Sequence, residues 1–323
     1  MKHRSSVRAG AVLAAASLAC AGIAAPAQAG PGGRVSATVV DSATGQPVAG
    51  ACIALVVPGR GGLPDHCGDD SDEQGRVTIS AVPAGTYQIF VFTPEGYGYQ
   101  WAGPRGGTGD QQEAAKIRVR AGRTVQAPTV RLNPPGSISG VVRDPDGAPT
   151  RWANVAITAW DFGVGPSRGS VDADVQGRYT LDHLGPYAWP LSFTTGDLAR
   201  QWSGGVGNRF RAEKIQVEAG QDTRYDNTLT RGSVLRGAVT LRDGAEADFW
   251  RITAVNATTG DPIGVADSTE AGDPAYEMRL AGPQQVRISW YVRVGEESRS
   301  GSWQNGARVR VPASGVRTLD LTI

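Results

Sequence analysis

The sequence predicts an all-β protein built from three tandem sandwiches, and three observations lead there. The first is composition: 44 glycines and 20 prolines in 323 residues supply chain reversals at a density that disfavours long helices. The second is periodicity. Val286, Ile288, Trp290, Val292 and Val294 alternate with Arg287, Ser289, Tyr291 and Arg293, the period-two pattern of a strand with one face on a core. The third is recurrence: Trp101, Trp202 and Trp303 stand 101 residues apart. Each precedes a glycine-bearing turn, and each is followed by an alternating run opened by a base. These runs are Lys116-Ile117-Arg118-Val119, Lys214-Ile215-Gln216-Val217 and Arg308-Val309-Arg310-Val311.

From the N-terminus, Met1 to Ala29 holds Lys2, Arg4 and Arg8, no acid, an apolar stretch from Ala9 to Ala25, and Ala27-Gln28-Ala29 at its end. This is the layout of a secretory signal with a small-x-small cleavage site. It predicts a secreted, extracellular protein; lipid anchoring through Cys20 is the minor alternative, since Ser17 stands where a lipoprotein signal wants a Leu-like residue. No other apolar run is long enough to span a bilayer. The whole chain has 32 basic and 31 acidic side chains, so losing three bases leaves the remainder slightly acidic. That argues against nucleic acid as a partner, because a basic stripe would have to supply the affinity.

After the signal, three units of about 100 residues use up the chain, the usual size of an immunoglobulin-like sandwich. The expected divisions are 1–29 signal, 30–133 first sandwich, 134–230 second, and 231–323 a divergent third. Boundaries fall near Asn133-Pro134-Pro135 and Thr230-Arg231-Gly232, links short enough to suggest a monomeric, semi-rigid rod. Within the units, Val35-Ser36-Ala37-Thr38-Val39-Val40 matches Ile138-Ser139-Gly140-Val141-Val142 and, more loosely, Val234 to Val239. Asp72-Glu73-Gln74-Gly75-Arg76-Val77-Thr78-Ile79 matches Asp174-Val175-Gln176-Gly177-Arg178-Tyr179-Thr180-Leu181, and has drifted in the third copy to Glu270-Ala271-Gly272 and Tyr276 to Leu280.

In the first copy the order is Val40-Asp41-Ser42-Ala43-Thr44-Gly45-Gln46-Pro47-Val48-Ala49-Gly50-Ala51, then Asp72 to Ile79, then Val82-Pro83-Ala84-Gly85-Thr86-Tyr87. It resembles the carboxypeptidase regulatory-like domain, a prealbumin-like (transthyretin-like) sandwich also grouped with carbohydrate-binding-like folds. The second copy matches through Val142-Arg143-Asp144-Pro145-Asp146-Gly147 and Asp174 to Leu181; the third matches poorly. The resemblance implies a fold, and such domains serve as spacers, adhesive modules and enzyme appendages. Fold alone does not transfer chemistry. The related collagen-adhesin B-type repeats carry a Lys–Asn isopeptide bond. Here Lys116 and Lys214, the two lysines after the signal, fall late in their repeats and read as exposed cationic strand residues.

Candidate chemistry is sparse, and no catalytic residue, metal or cofactor is assigned. His66 and His183 lack a recognisable nucleophile context. Cys52 and Cys67 are expected to form a disulfide, the alternative being two buried thiols; closing a loop of about 15 residues is worth roughly 3 kcal/mol on the chain-entropy model. The acids Asp65, Asp69, Asp70, Asp72 and Glu73 crowd one loop, where side-chain capping of the turn outweighs calcium binding. Trp101, Trp202 and Trp303 have two readings: indoles that stack on a glycan, with avidity from repetition, or indoles packed over sandwich ends, the reading the recurrence favours. The function expected is a non-enzymatic extracellular binding or scaffold protein with a polysaccharide or cell-envelope protein as partner. The alternative is a starch- or glycan-binding accessory of amylase-type hydrolases.

Overall fold

Alternation along the strands decides which side chains enter the cores. In Gly33–Asp41, Val35, Ala37 and Val39 are buried while Arg34, Ser36 and Thr38 lean to solvent. Tight turns then fold the strands back. The Asp72 carboxylate accepts the backbone N–H groups of Gln74 and Arg76, and Asp174 accepts those of Gln176 and Arg178 at equivalent positions. Gly75 and Gly177 follow in the left-handed region, where a side chain on Gly75 would also collide with the Val39 carbonyl. A computed structural model describes residues 32–59, 68–104, 106–158 and 168–323, all within one compact unit. The signal segment with Cys20, and also Asp65, His66, Cys67 and Trp160, lie outside the described residues. Among the described residues the chain is all-β, with 51% in strands and 3% in short helical turns.

Each sheet draws its strands from one third of the chain, and the topology repeats. In the first third, Gly33–Asp41 pairs antiparallel with Arg76–Val82 and parallel with Thr124–Gln126 and Val130–Leu132. In the middle third, Gly136–Arg143 pairs the same way with Arg178–Leu184, Asp222–Arg224 and Asn227–Thr228. In the last third, Ser233–Thr240 does so with Ala275–Leu280, Val316–Thr318 and Leu321–Thr322. A second sheet faces each of these. In the first third it is centred on Cys52–Val56 and Gly85–Phe92, in the middle on Asn154–Ala156 and Ser192–Thr194, and in the last on Phe249–Asn256 and Gln284–Val294.

The third repeat, drifted in sequence, keeps its structural devices. Gly140 lies opposite Tyr179, and the Tyr179 hydroxyl donates to the Tyr225 carbonyl at 2.6 Å. Gly237 lies opposite Tyr276, whose hydroxyl donates to the Leu319 carbonyl at 2.6 Å. A Cβ on either glycine would strike the carbonyl that the tyrosine holds.

Two cores are local: one uses Val35, Val39, Ile53, Val91 and Leu132, the other Leu235, Ile252, Met278, Ile288 and Val311. The remaining large core crosses the 133–135 link. It joins Ala54, Phe90, Phe92 and Trp101 of the first third to Ile138, Leu184, Trp189 and Phe193 of the middle third. The second sheet of the first third is therefore buried on both faces, with Ile89 and Val91 pointing one way and Phe90 and Phe92 the other. One of the two cores that serve the first third is thus shared with the middle third.

Candidate functional site

Two of the three recurrent tryptophans, Trp101 and Trp202, sit at equivalent strand positions, and the third lies in a helical turn. Trp101 lies in Gln100–Gly103 and Trp202 in Gln201–Trp202, each hairpin-paired to the preceding strand. They are 2% and 0% exposed. An indole without an exposed face cannot stack on a sugar, so for these two residues glycan stacking gives way to the packing alternative. Trp101 meets Phe90 edge-on at 5.1 Å within the shared core, and Trp202 lies under the Arg209 guanidinium at 5.5 Å. Trp303 occupies the helical turn Trp303–Asn305 after the strand Glu297–Ser302 and is half-buried against the last core.

Among the described residues, the indole that does face solvent is Trp152, 62% exposed with φ of 60°. Its counterpart in the first repeat is Gly50, with φ of 74°. A bulky side chain in the left-handed region costs roughly 1–2 kcal/mol, which makes a tryptophan in a glycine position a candidate functional feature. The available signal was the departure of Pro149-Thr150-Arg151-Trp152-Ala153 from Pro47-Val48-Ala49-Gly50-Ala51.

Both links between thirds are built on one plan. Just before the tryptophan, Tyr99 makes a parallel bridge to Leu184 and Arg200 makes one to Leu280. At the first junction the Tyr99 N–H donates to the His183 carbonyl at 2.6 Å and the Gly185 N–H to the Tyr99 carbonyl at 2.9 Å. The Tyr187 hydroxyl accepts from the Asn133 amide at 2.8 Å and donates to Gln100 Oε1 at 2.9 Å, so the linker residue Asn133 is tied into the joint. The helical turn Gln111–Glu113 supplies the charge: Asp110 caps its N-terminus and pairs with Lys214, and Glu113 stands 3.8 Å from the same ammonium. Lys214, expected as an exposed cationic strand residue, is thus neutralised across the junction.

The second junction is ionic at its centre. Arg209, 3% exposed, faces the fully buried Asp261 at 3.3 Å, without hydrogen-bond geometry between the two groups. Burial pushes the Asp261 carboxyl above the ordinary carboxylate range, with the Arg209 and Arg200 charges pulling the other way. Arg200 donates to Thr194 Oγ1 and to the Pro262 carbonyl, and the Thr230 N–H donates to Gln201 Oε1 at 3.1 Å.

The other sequence candidates resolve locally. Asp72 is a turn cap whose carboxyl is held below its ordinary value, chiefly by the Arg76 N–H. His183 bonds its neighbour Asp182 and stacks on Tyr99 at 5.9 Å. Cys52 is buried in Cys52–Val56. Among the described residues no helix is long and apolar enough to cross a membrane.

No protein-family description matches the sequence, and no curated protein does either. Among solved structures, the major pilin subunit of Bacillus cereus is 10% identical, with 90% of this chain and 99% of that one covered at a TM-score of 0.25. A DUF3823 family protein from Bacteroides uniformis is 11% identical over 87% of this chain and 100% of that one, TM-score 0.24. The Bacillus anthracis TIE protein is 11% identical over 90% of this chain at a TM-score of 0.25, and the match spans about half (51%) of its length. Superpositions at these scores leave the architecture to be read from the chain's own strands and cores.

Proposed function

We propose that this protein is a secreted, non-enzymatic scaffold of three prealbumin-like sandwiches, divided near 133–135 and 230–232, of the carboxypeptidase regulatory-like type. The observation that carries the reading is the repeated joint. The same main-chain bridge, Tyr99 to Leu184 and Arg200 to Leu280, fixes each third to the next, and buried polar side chains are spent on it. A chain that invests its buried charges in joints holds its surfaces at fixed spacing, as a spacer or display module must. Cys52 and Cys67 form its disulfide in this reading, supported by the Gly68 N–H donating to the Ile53 carbonyl beside Cys52. Limited proteolysis of the exported protein tests the scaffold: cleavage at 133–135 and 230–232 should be no faster than elsewhere. Rapid release of separate thirds would defeat it. Thiol titration of the denatured, unreduced protein should find no free sulfhydryl.

A second reading, a glycan-binding accessory, is favoured by Trp152. Its exposed indole, held where a glycine would be less strained, suits stacking on a sugar face. Retention on insoluble starch, chitin or cell wall that is lost in Trp152→Gly would support it. Retention unchanged in that variant would remove Trp152 from any site.

A further inference from the structure

The two junctions bring equivalent elements together with opposite charge. At the first, the helical turn Gln111–Glu113, capped by Asp110, meets the base Lys214, which lies just before the strand Ile215–Gln216. At the second, the turn Arg209–Arg211, capped by Asn208, shares a cleft with Arg310 of the strand Val309–Val311, which is preceded by Arg308. The two turns match in cap, length and following alanine, so Asn208 stands where Asp110 does and Arg211 where Glu113 does. The acids that neutralise the base at one junction are thus an amide and a second base at the other.

The outcome is a cleft of about 380 Å³ lined by Asn208, Arg211, Asn256, Gln284, Gln285 and Arg310, with no acidic residue on its walls among the described residues. Arg211 and Arg310 are exposed, and among the described residues neither guanidinium has an ion-pair or hydrogen-bond partner. Arg308 donates to the Gln285 side-chain carbonyl at 3.3 Å, and Arg317 donates to the Arg310 carbonyl at 2.9 Å, extending the cationic strip. The floor is preorganised: buried Asn256 accepts the Thr258 and Thr259 N–H groups at 2.9 Å and donates to Gln284 Oε1 at 2.8 Å. Guanidinium groups recognise carboxylate and phosphate oxygens through paired charge-assisted hydrogen bonds, and side-chain amides suit neighbouring hydroxyls.

We infer that this cleft binds an oxyanion carried on a hydroxyl-rich polymer: a carboxylate on an acidic polysaccharide or a phosphate on a polyol chain. The inference builds on the scaffold reading and gives it a ligand class. The test measures binding of the full secreted chain to polygalacturonate, a glycerol-phosphate polymer, amylose and poly-L-glutamate. One of the first two should bind, and which one identifies the source of the anion. Affinity should fall about tenfold or more in Arg211→Gln/Arg310→Gln and again in about 0.5 M salt. The Arg211→Lys/Arg310→Lys variant should retain part of the binding. Both arginines are exposed, so the melting temperature should not move. Failure of both anionic polymers to bind, unchanged affinity in the glutamine variant, or equal binding of poly-L-glutamate would each overturn the inference. The scaffold reading is judged separately by the proteolysis pattern, which none of these outcomes alters.

Discussion

The junction between the first and middle thirds and that between the middle and last share a main-chain bridge and differ in how side chains fill the space around it. The first is mostly aromatic and apolar inside, with a partly exposed base at its edge: Phe90, Phe92 and Trp101 join the core of the middle third, and Lys214 is answered by the buried Asp110 and the exposed Glu113. The second is charged inside and cationic at the rim: Arg209 faces Asp261 out of contact with water, while Arg211 and Arg310 line an open cleft. Backbone pairing along a strand end needs only an extended segment of the right register. The same joint can therefore be kept while its side chains are exchanged, and the side chains decide whether it is simply a seal or also a binding surface.

Breaking the apolar seal should have the largest effect. Phe90→Ala removes a fully buried ring from the shared core and should cost about 3–5 kcal/mol, read by chemical denaturation. A loss under about 1 kcal/mol would mean that the first two thirds do not depend on a common interior.

The ionic joint should break by a different rule. Arg209→Met leaves Asp261 buried without its nearest cation and should cost roughly 3 kcal/mol at neutral pH, whereas Arg209→Met/Asp261→Leu should recover most of it. The pH dependence follows from the raised Asp261 carboxyl. The folded chain holds that proton to higher pH than the unfolded chain, whose aspartates titrate near 3.9. Folding thus binds a proton in the window between the two values. The contribution of this group to stability is greatest below the unfolded value and falls as pH rises through the window. The Arg209→Met deficit should accordingly shrink on acidification, measured as the difference in melting temperature between variant and parent across pH. A deficit that grows instead would place the proton on the wrong side of the equilibrium.

The pair at the first junction should matter less. Lys214→Met should cost roughly 2 kcal/mol, because the ammonium is a third exposed and water screens it, while Asp110 is buried and keeps the Gln112 N–H as a donor once the cation is gone; the loss should diminish at high salt. The smallest effect has the opposite sign. Trp152→Gly should stabilise the fold by up to about 1 kcal/mol by relieving the left-handed strain. No gain, or a loss, would show that the indole packs usefully where it stands.

Much of this was legible in the residues. The alternation of Val286 to Val294 predicted a half-buried strand, and in Gln284–Val294 Val286, Ile288 and Val292 are buried while Arg287, Tyr291 and Arg293 are exposed. The D-x-x-G turns predicted capping, and Asp72 and Asp174 cap. The double burial of the first third's second sheet was also written there, as the unbroken apolar runs Ala51 to Val57 and Ile89 to Phe92, since a strand covered on both faces has no reason to alternate. The site was less legible. The recurrence of Trp101 and Trp202 reads equally as a repeated ligand contact or a repeated packing problem, because both place one large side chain at one position of every unit. Trp152 and the Arg211–Arg310 cleft stand where the repeats differ, and a reading that aligns copies on their matches passes over such positions.

The order of strands, the turns between them and the three-fold pattern follow from sequence alone, because hydrophobic period and turn chemistry act over a few residues at a time. Tertiary structure decided which faces became interior and which charges met. Phe90 shares its core with residues of the middle third, and the Arg209–Asp261 pair and the Arg211–Arg310 cleft exist only because two backbone segments come into register across a junction.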